Sequence, residues 1–442
     1  MARRGAVGLV VLGVLLLAGV AGRALLGGDA GRPAPPPPAS TRAAPPTPRT
    51  LAALRPDRVI RRVEALRGLR LKRRPRFRVV SAAQAQRQLT RDGGAGDQGD
   101  AGATAVDTAL QTLLGLLPPG ADVDEIARRI AGDAFLGFYD GARNEMTIVG
   151  RDGRLPAGAE ATVAHELVHA IDEQHFGIFR RLRRTRDDDA RLAYTAVVEG
   201  SATDVGDRYA ARYHVPQEDP GDARRARALV RDVPFGLLLQ LSFPYAVGEE
   251  FVRAVRRDGG EAAVARALTT EAPRATVGIL DPAWWRAGRR PAPVRLDARR
   301  VLGRGWRQLD ADAIGAADVL ALLAPTEADA STAAVPAQGW RGGRYVFLRR
   351  GGGRVADCRA PCVRRDAVVG AVRFDTAARA QAFTRLLGRT LTARRGAKAA
   401  GDGLWVVRGA GAAVGTRGAV ATFAYAPTPA LAARLVRDAP SG

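Results

Sequence analysis

A chain of 442 residues, 46% hydrophobic and 26% charged, exceeds what one ordinary core organises and is apolar enough to build two folded parts with appendages. The net charge of +23 is almost wholly arginine, since Lys72 and Lys398 are the only lysines. The basic clusters lack the interleaved aromatics on which single-strand binders stack bases, so nucleic acid is not the expected partner, whereas an anionic lipid or wall-polymer surface is compatible with the charge.

Residues 1 to 27 open with Arg3 and Arg4 and continue as an uncharged apolar run from Ala6 to Gly22. This is the pattern of a signal peptide or an N-terminal membrane anchor, and it predicts an extracytoplasmic location for the rest of the chain, membrane-held or secreted after cleavage near Ala21. Residues 28 to 50, rich in Pro, Ala and Thr, have almost nothing to bury and read as an extended spacer. Apolar residues recur at helical intervals in "LAALRPDRVIRRVEALRGL", and "PRFRVVSAAQAQRQL" reads as a strand entering a helix. A Gly/Asp loop at 91 to 102 interrupts, with a helix following through Leu117.

Two β-prone runs, Phe135 to Tyr139 and Glu145 to Val149, flank the turn "DGARN" and predict a hairpin. A helix over 158 to 176 comes next, ended by Gly177. Beyond the basic loop "RRLRRTRDDD" a second helix covers 190 to 213, and further helices are expected over 222 to 232, 246 to 257 and 260 to 269. From about residue 300 strand-like runs such as "GRYVFLRR", "AVVGAVRFD" and "LWVVRG" alternate with helices. The predicted fold class is therefore α+β: a mainly helical domain over 51 to 299, with a short β hairpin or sheet before its His-rich helix, and a small α+β accessory domain over 300 to 442. Cys358 and Cys362, the only cysteines, are close enough for a small disulfide loop in an oxidising compartment.

The chemistry concentrates in "HELVHAIDEQHF", residues 165 to 176, which holds three of the four histidines. On a helix His165 and His169 project from one face, with Glu166 one step round and able to reach a water between them. A catalytic zinc site takes three protein ligands and an open position, and the expected third ligand is Glu199 in "VVEGSATD". Glu199, Ala202, Thr203 and Gly206 share a helix face that is otherwise small, which suits close approach of the two helices.

These residues resemble the gluzincin class of zinc metallopeptidases, which combine HExxH with a downstream Glu. More narrowly the chain is similar to uncharacterised bacterial membrane-anchored or secreted metallopeptidase-like proteins, through "HELVHAIDEQHF", "EGSAT" (199 to 203), "FPYAVGEEF" (243 to 251) and "GWRGGRY" (339 to 345). The resemblance implies a zincin-like catalytic domain, Zn2+ on His165, His169 and Glu199, Glu166 as general base, and a peptide or protein substrate. Many gluzincins carry an Asp four residues after the ligand Glu; here Thr203 stands there and Asp204 is next in sequence, so the partner that orients a ligand histidine is expected among Thr203, Asp204 and Asp172.

Tyr245, then His214 and His175, are the expected oxyanion donors, and "EMTIV" at 145 to 149 is the strand expected to pair with substrate. A zinc amidohydrolase acting on wall peptides, and a catalytically silent envelope binding protein with a basic surface, are the alternatives. The sequence carries no signal for oligomeric state.

Overall fold

A computed structural model describes residues 50–85, 87–88, 101–121, 125–126, 136–150, 154–216, 224, 228, 231, 233–352, 364–395, 397–407 and 410–440. Residues 1 to 27, the Pro-rich spacer up to residue 49, both cysteines and most of the helix expected over 222 to 232 lie outside these. No helix among the described residues is long and apolar enough to cross a membrane. This corrects the expectation of a transmembrane element, and residues 1 to 27, which prompted it, contribute none to the described structure.

The N-terminal part is helical around a three-stranded sheet. Helix α1 (Pro56–Arg67) starts at a proline, which fits a first turn whose N–H groups are unpaired anyway, and buries Val59, Ile60 and Val63. Strands β1 (Arg76–Ser81), β2 (Gly137–Asp140) and β3 (Glu145–Gly150) pair in the order β1-β3-β2, with β1 parallel and β2 antiparallel to β3. The hairpin forms where turn chemistry predicted it, but β3 is the central strand. The substrate-pairing role expected of 145 to 149 is therefore corrected: both edges of β3 already have backbone partners, and β2 is the open edge on the hairpin side among the described strands.

Helix α2 (Ala101–Leu114) precedes this hairpin. Helix α3 (Ala159–Phe176) comes after it, buried along most of its length and ended by Gly177 in the left-handed conformation. Helix α4 (Asp188–Tyr213) begins with the Asp187 carboxylate accepting from the Ala190 N–H at 2.8 Å. Asp187→Ala leaves that donor to water, and an exposed cap of this kind is expected to contribute about 1 kcal/mol, readable as a lower urea midpoint with an unchanged slope.

Helix α5 (Phe235–Ala267) is longer than the two pieces expected, because the backbone stays helical through Pro244. It breaks only at Gly259 and Gly260, where the second expected segment begins.

The C-terminal part is a seven-stranded antiparallel sheet in the order β4-β5-β6-β10-β9-β8-β7, comprising β4 (Trp306–Ala313), β5 (Trp340–Arg350), β6 (Asp366–Phe374), β7 (Lys398–Gly401), β8 (Leu404–Val407), β9 (Ala410–Arg417) and β10 (Val420–Ala426). Side chains alternate across it. Tyr345, Phe347, Val368 and Val372 face the same apolar cluster as α6 (Ala316–Leu323), α7 (Ala330–Gln338) and α8 (Ala377–Arg395), while Val346, Leu348, Ala367 and Val369 face α9 (Pro429–Asp438). The mixed α+β class is as the sequence predicts. One apolar cluster nevertheless runs from Ala109 on α2 to Tyr425 on β10, so the core does not divide at residue 299.

Candidate metal centre

Three helices build the cluster. His165 and His169 lie one turn apart on α3, and their Nε2 atoms are 3.1 Å from each other. Glu199 reaches in from α4, with Oε2 at 3.4 Å from His165 Nε2 and 3.3 Å from His169 Nε2. What brings α4 there is close packing. Gly206 sets α4 against His165, its hypothetical Cβ lying 3.9 Å from His165 Cβ. On its other side α4 crosses α5 at Gly200 and Gly248, where an added Cβ on Gly248 would stand 2.1 Å from the Ala196 carbonyl oxygen.

The cluster is buried, with both histidines and Glu166 no more than 3% exposed. Glu199 Oε2 has no hydrogen-bond donor, and the Nδ1 atoms of both histidines have no partner among the described residues. Glu199 Oε2 and the two Nε2 atoms converge with only the Nε2–Nε2 contact to offset the meeting of their lone pairs, an arrangement that suits a cation. Burial pushes the His169 imidazole down, but the Glu199 carboxylate outweighs it and raises the ring to about 9. The converse holds for Glu199: burial pushes it up, and the His169 charge and the close approach of both rings bring it down to about 2. Both shifts report the same preference for positive charge at this spot. His165, where burial dominates, is lowered.

Glu166 stands one step out. Ligand atoms of His165, Glu166 and His169 lie within 4.8 Å of one another. Its Oε2 accepts from the Tyr139 N–H of β2 at 2.9 Å, while Oε1 is buried without a partner. Desolvation is the main reason its pKa rises to about 8. The sequence had no way to display this tether, because the donor is a backbone group on a strand whose register becomes known only in the fold.

Tyr245 on α5 is fully buried and hydrogen-bonds to Glu199, its own pKa raised well above the ordinary tyrosine value by burial and then by the Glu199 and Glu166 charges. The hydroxyl therefore remains a donor, and it is directed at the carboxylate that meets the histidines. His175 instead touches the Arg70 carbonyl at 2.8 Å, and His214 ends α4 in the left-handed conformation.

The three residues expected to support a histidine do not do so. Asp172 accepts from Arg67 Nε at 2.9 Å and from Ser201 Oγ at 3.1 Å, and Arg67 also holds Glu261 at 2.8 Å. That buried clamp ties α1, α3, α4 and α5 together just beyond the cluster. Asp204 pairs with Arg256 at 2.5 Å, and Thr203 Oγ1 is buried without a hydrogen-bond partner among the described residues. Glu199 is thus the carboxylate that meets the two histidine rings, and neither Nδ1 has a carboxylate partner among the described residues.

The fold and the site together define an α+β protein with a buried His–His–Glu cluster. Residues 299–435 match a family described as a domain of unknown function (DUF8575). The match covers the C-terminal sheet and its helices and leaves the cluster outside it. No curated protein and no solved structure matches the chain.

Proposed function

We propose that the protein is an extracytoplasmic zinc-dependent metallopeptidase. The observation that carries this reading is the convergence of His165 Nε2, His169 Nε2 and Glu199 Oε2 at mutual separations of 3.1, 3.4 and 3.3 Å. Ligands held at about 2.0–2.1 Å around a tetrahedral ion stand about 3.3–3.4 Å apart, so the donor set and its spacing both suit zinc. The signal-like segment at residues 1 to 27 supports the extracytoplasmic location.

Zinc at this site would supply a Lewis acid for the scissile carbonyl and a water of lowered pKa. The chain's own contribution is proton handling and positioning. The Tyr139 N–H fixes one oxygen of Glu166, and Oε1 is left to take a proton from the attacking water and pass it to the leaving amine. A hydrogen bond from Tyr245 steadies Glu199. Strand β2, hydrogen-bonded along one side to β3, offers its other side to an extended peptide.

The test is metal content by elemental analysis of wild type and Glu199→Ala. About one zinc per wild-type chain is expected, with affinity in Glu199→Ala reduced beyond the roughly 10–100-fold that outer-sphere partners control. A wild-type chain that binds no zinc even after reconstitution would leave α3 as scaffold and turn the reading to the binding protein.

A further inference from the structure

A second concavity, apart from the metal centre, lies where α5 breaks. Gly259 and Gly260 leave helical geometry, and the "DPAWWRAGRR" segment folds against the break to enclose a cavity of about 560 Å³. This volume falls in the range of small-molecule sites. Trp284 and Trp285 supply its apolar wall, and Trp285 is fixed by an edge contact to Phe251 at 5.2 Å and by donating from Nε1 to the Glu271 carbonyl at 2.6 Å.

Trp284 differs from its neighbour. It is 3% exposed, and its indole N–H has no acceptor among the described residues. The benzo edge of this indole rests against Gly278, and its Nε1 is buried beyond the reach of a water-sized molecule, so what Trp284 gives the cavity is its ring.

Charge around the cavity is unbalanced in one direction. Asp258 neutralises Arg286, and Glu271 neutralises Arg266 at 3.0 Å. Arg274, Arg289 and Arg290 also line the cavity, are exposed, and have no acidic partner among the described residues. An apolar aromatic wall and three uncompensated guanidinium groups call for the same complement: oxygens that carry negative charge, on a body that packs against indole.

We infer that this cavity binds an organic oxyanion, a carboxylate or phosphate on an apolar body, with the oxyanion met by Arg274, Arg289 and Arg290 and the apolar body packed on the two indole rings. The site is independent of the metal centre. Its nearest point on α5, Val255, lies ten residues beyond Tyr245, about 15 Å along the helix axis.

The test is calorimetric titration of the full chain, at fixed ionic strength, with phenyl phosphate, benzoate and inorganic phosphate. Saturable one-site binding of phenyl phosphate or benzoate, tighter than inorganic phosphate, is expected, and the stronger of the two aryl probes identifies the head group. The exposed pair Arg289→Ala/Arg290→Ala is expected to weaken the stronger aryl probe about tenfold or more with unchanged circular dichroism. Arg385→Ala/Arg389→Ala on α8 removes the same charge outside the cavity and is expected to leave binding within about twofold of wild type. Absence of saturable aryl binding, inorganic phosphate binding as tightly as either aryl probe, or equal losses in the two arginine pairs would each overturn the assignment.

Discussion

Glu166→Gln is expected to keep its metal and lose about 10²–10⁴-fold in peptide hydrolysis, the range that a positioned general base contributes. The substitution is nearly isosteric. A glutamine amide oxygen still accepts the Tyr139 N–H that now meets Glu166 Oε2, so β2 and α3 remain docked. What disappears is the basic Oε1, buried and without a partner. The readouts are zinc per chain and the rate on a fluorescent casein or a peptide library, compared with wild type. Equal rates would remove Glu166 from the chemistry even if the metal were confirmed, and joint loss of metal and rate would make Glu166 a structural member of the cluster instead.

Gly248→Ala is expected to destabilise the fold by about 3 kcal/mol, at the upper end of overpacking costs. The sign is informative, because replacing a mid-helix glycine by alanine ordinarily stabilises by up to about 1 kcal/mol. Here the new methyl would stand 2.1 Å from the Ala196 carbonyl oxygen, and from the facing side a Cβ on Gly200 would meet the Gly248 carbonyl oxygen at 2.2 Å. Backbone meets backbone, so no side chain can swing aside. The helices must separate, and Glu199 is adjacent to the crossing. Urea unfolding together with zinc affinity checks this: both should fall, and a variant as stable as wild type would mean that the two helices do not cross this closely.

The parts of this molecule that were legible in its sequence are those whose signals are local. Helix α3 was readable because its apolar spacing, its paired histidines and the Gly177 stop all fall within twenty residues, and the hairpin because "DGARN" is turn chemistry between two apolar runs. Glu199 could be nominated because the small residues beside it implied a helix that must approach another. Long-range facts were hidden. The partner of Asp172 is Arg67, 105 positions earlier, and no spacing rule reaches that far.

The central place of β3 depends on parallel pairing with β1 from the far side of a long connection. Pro244 disguised the first turns of α5, since a proline ordinarily ends a helix. Strand β9, "AGAAVGTR", is too rich in Ala and Gly to look like a strand, and it exists because β10 and β8 flank it. Reading the basic segments as lacking aromatics also overlooked "WWRAGRR", whose tryptophans and arginines come together around one cavity only in the fold.

The undivided core has a consequence for the order in which the molecule can be made. Helix α5 packs on α4 at one side and shares its apolar cluster with α6 and the C-terminal sheet, as far along the chain as Tyr425. A nascent chain that has emerged only to residue 299 already contains every residue of the His–His–Glu cluster, yet it lacks the surface that covers those helices. Helices α4 and α5 therefore reach their final packing only after the last strands have been synthesised, although the apolar residues around His165 and His169 all precede residue 216, and until then the chain holds exposed apolar helices of the kind that chaperones shield.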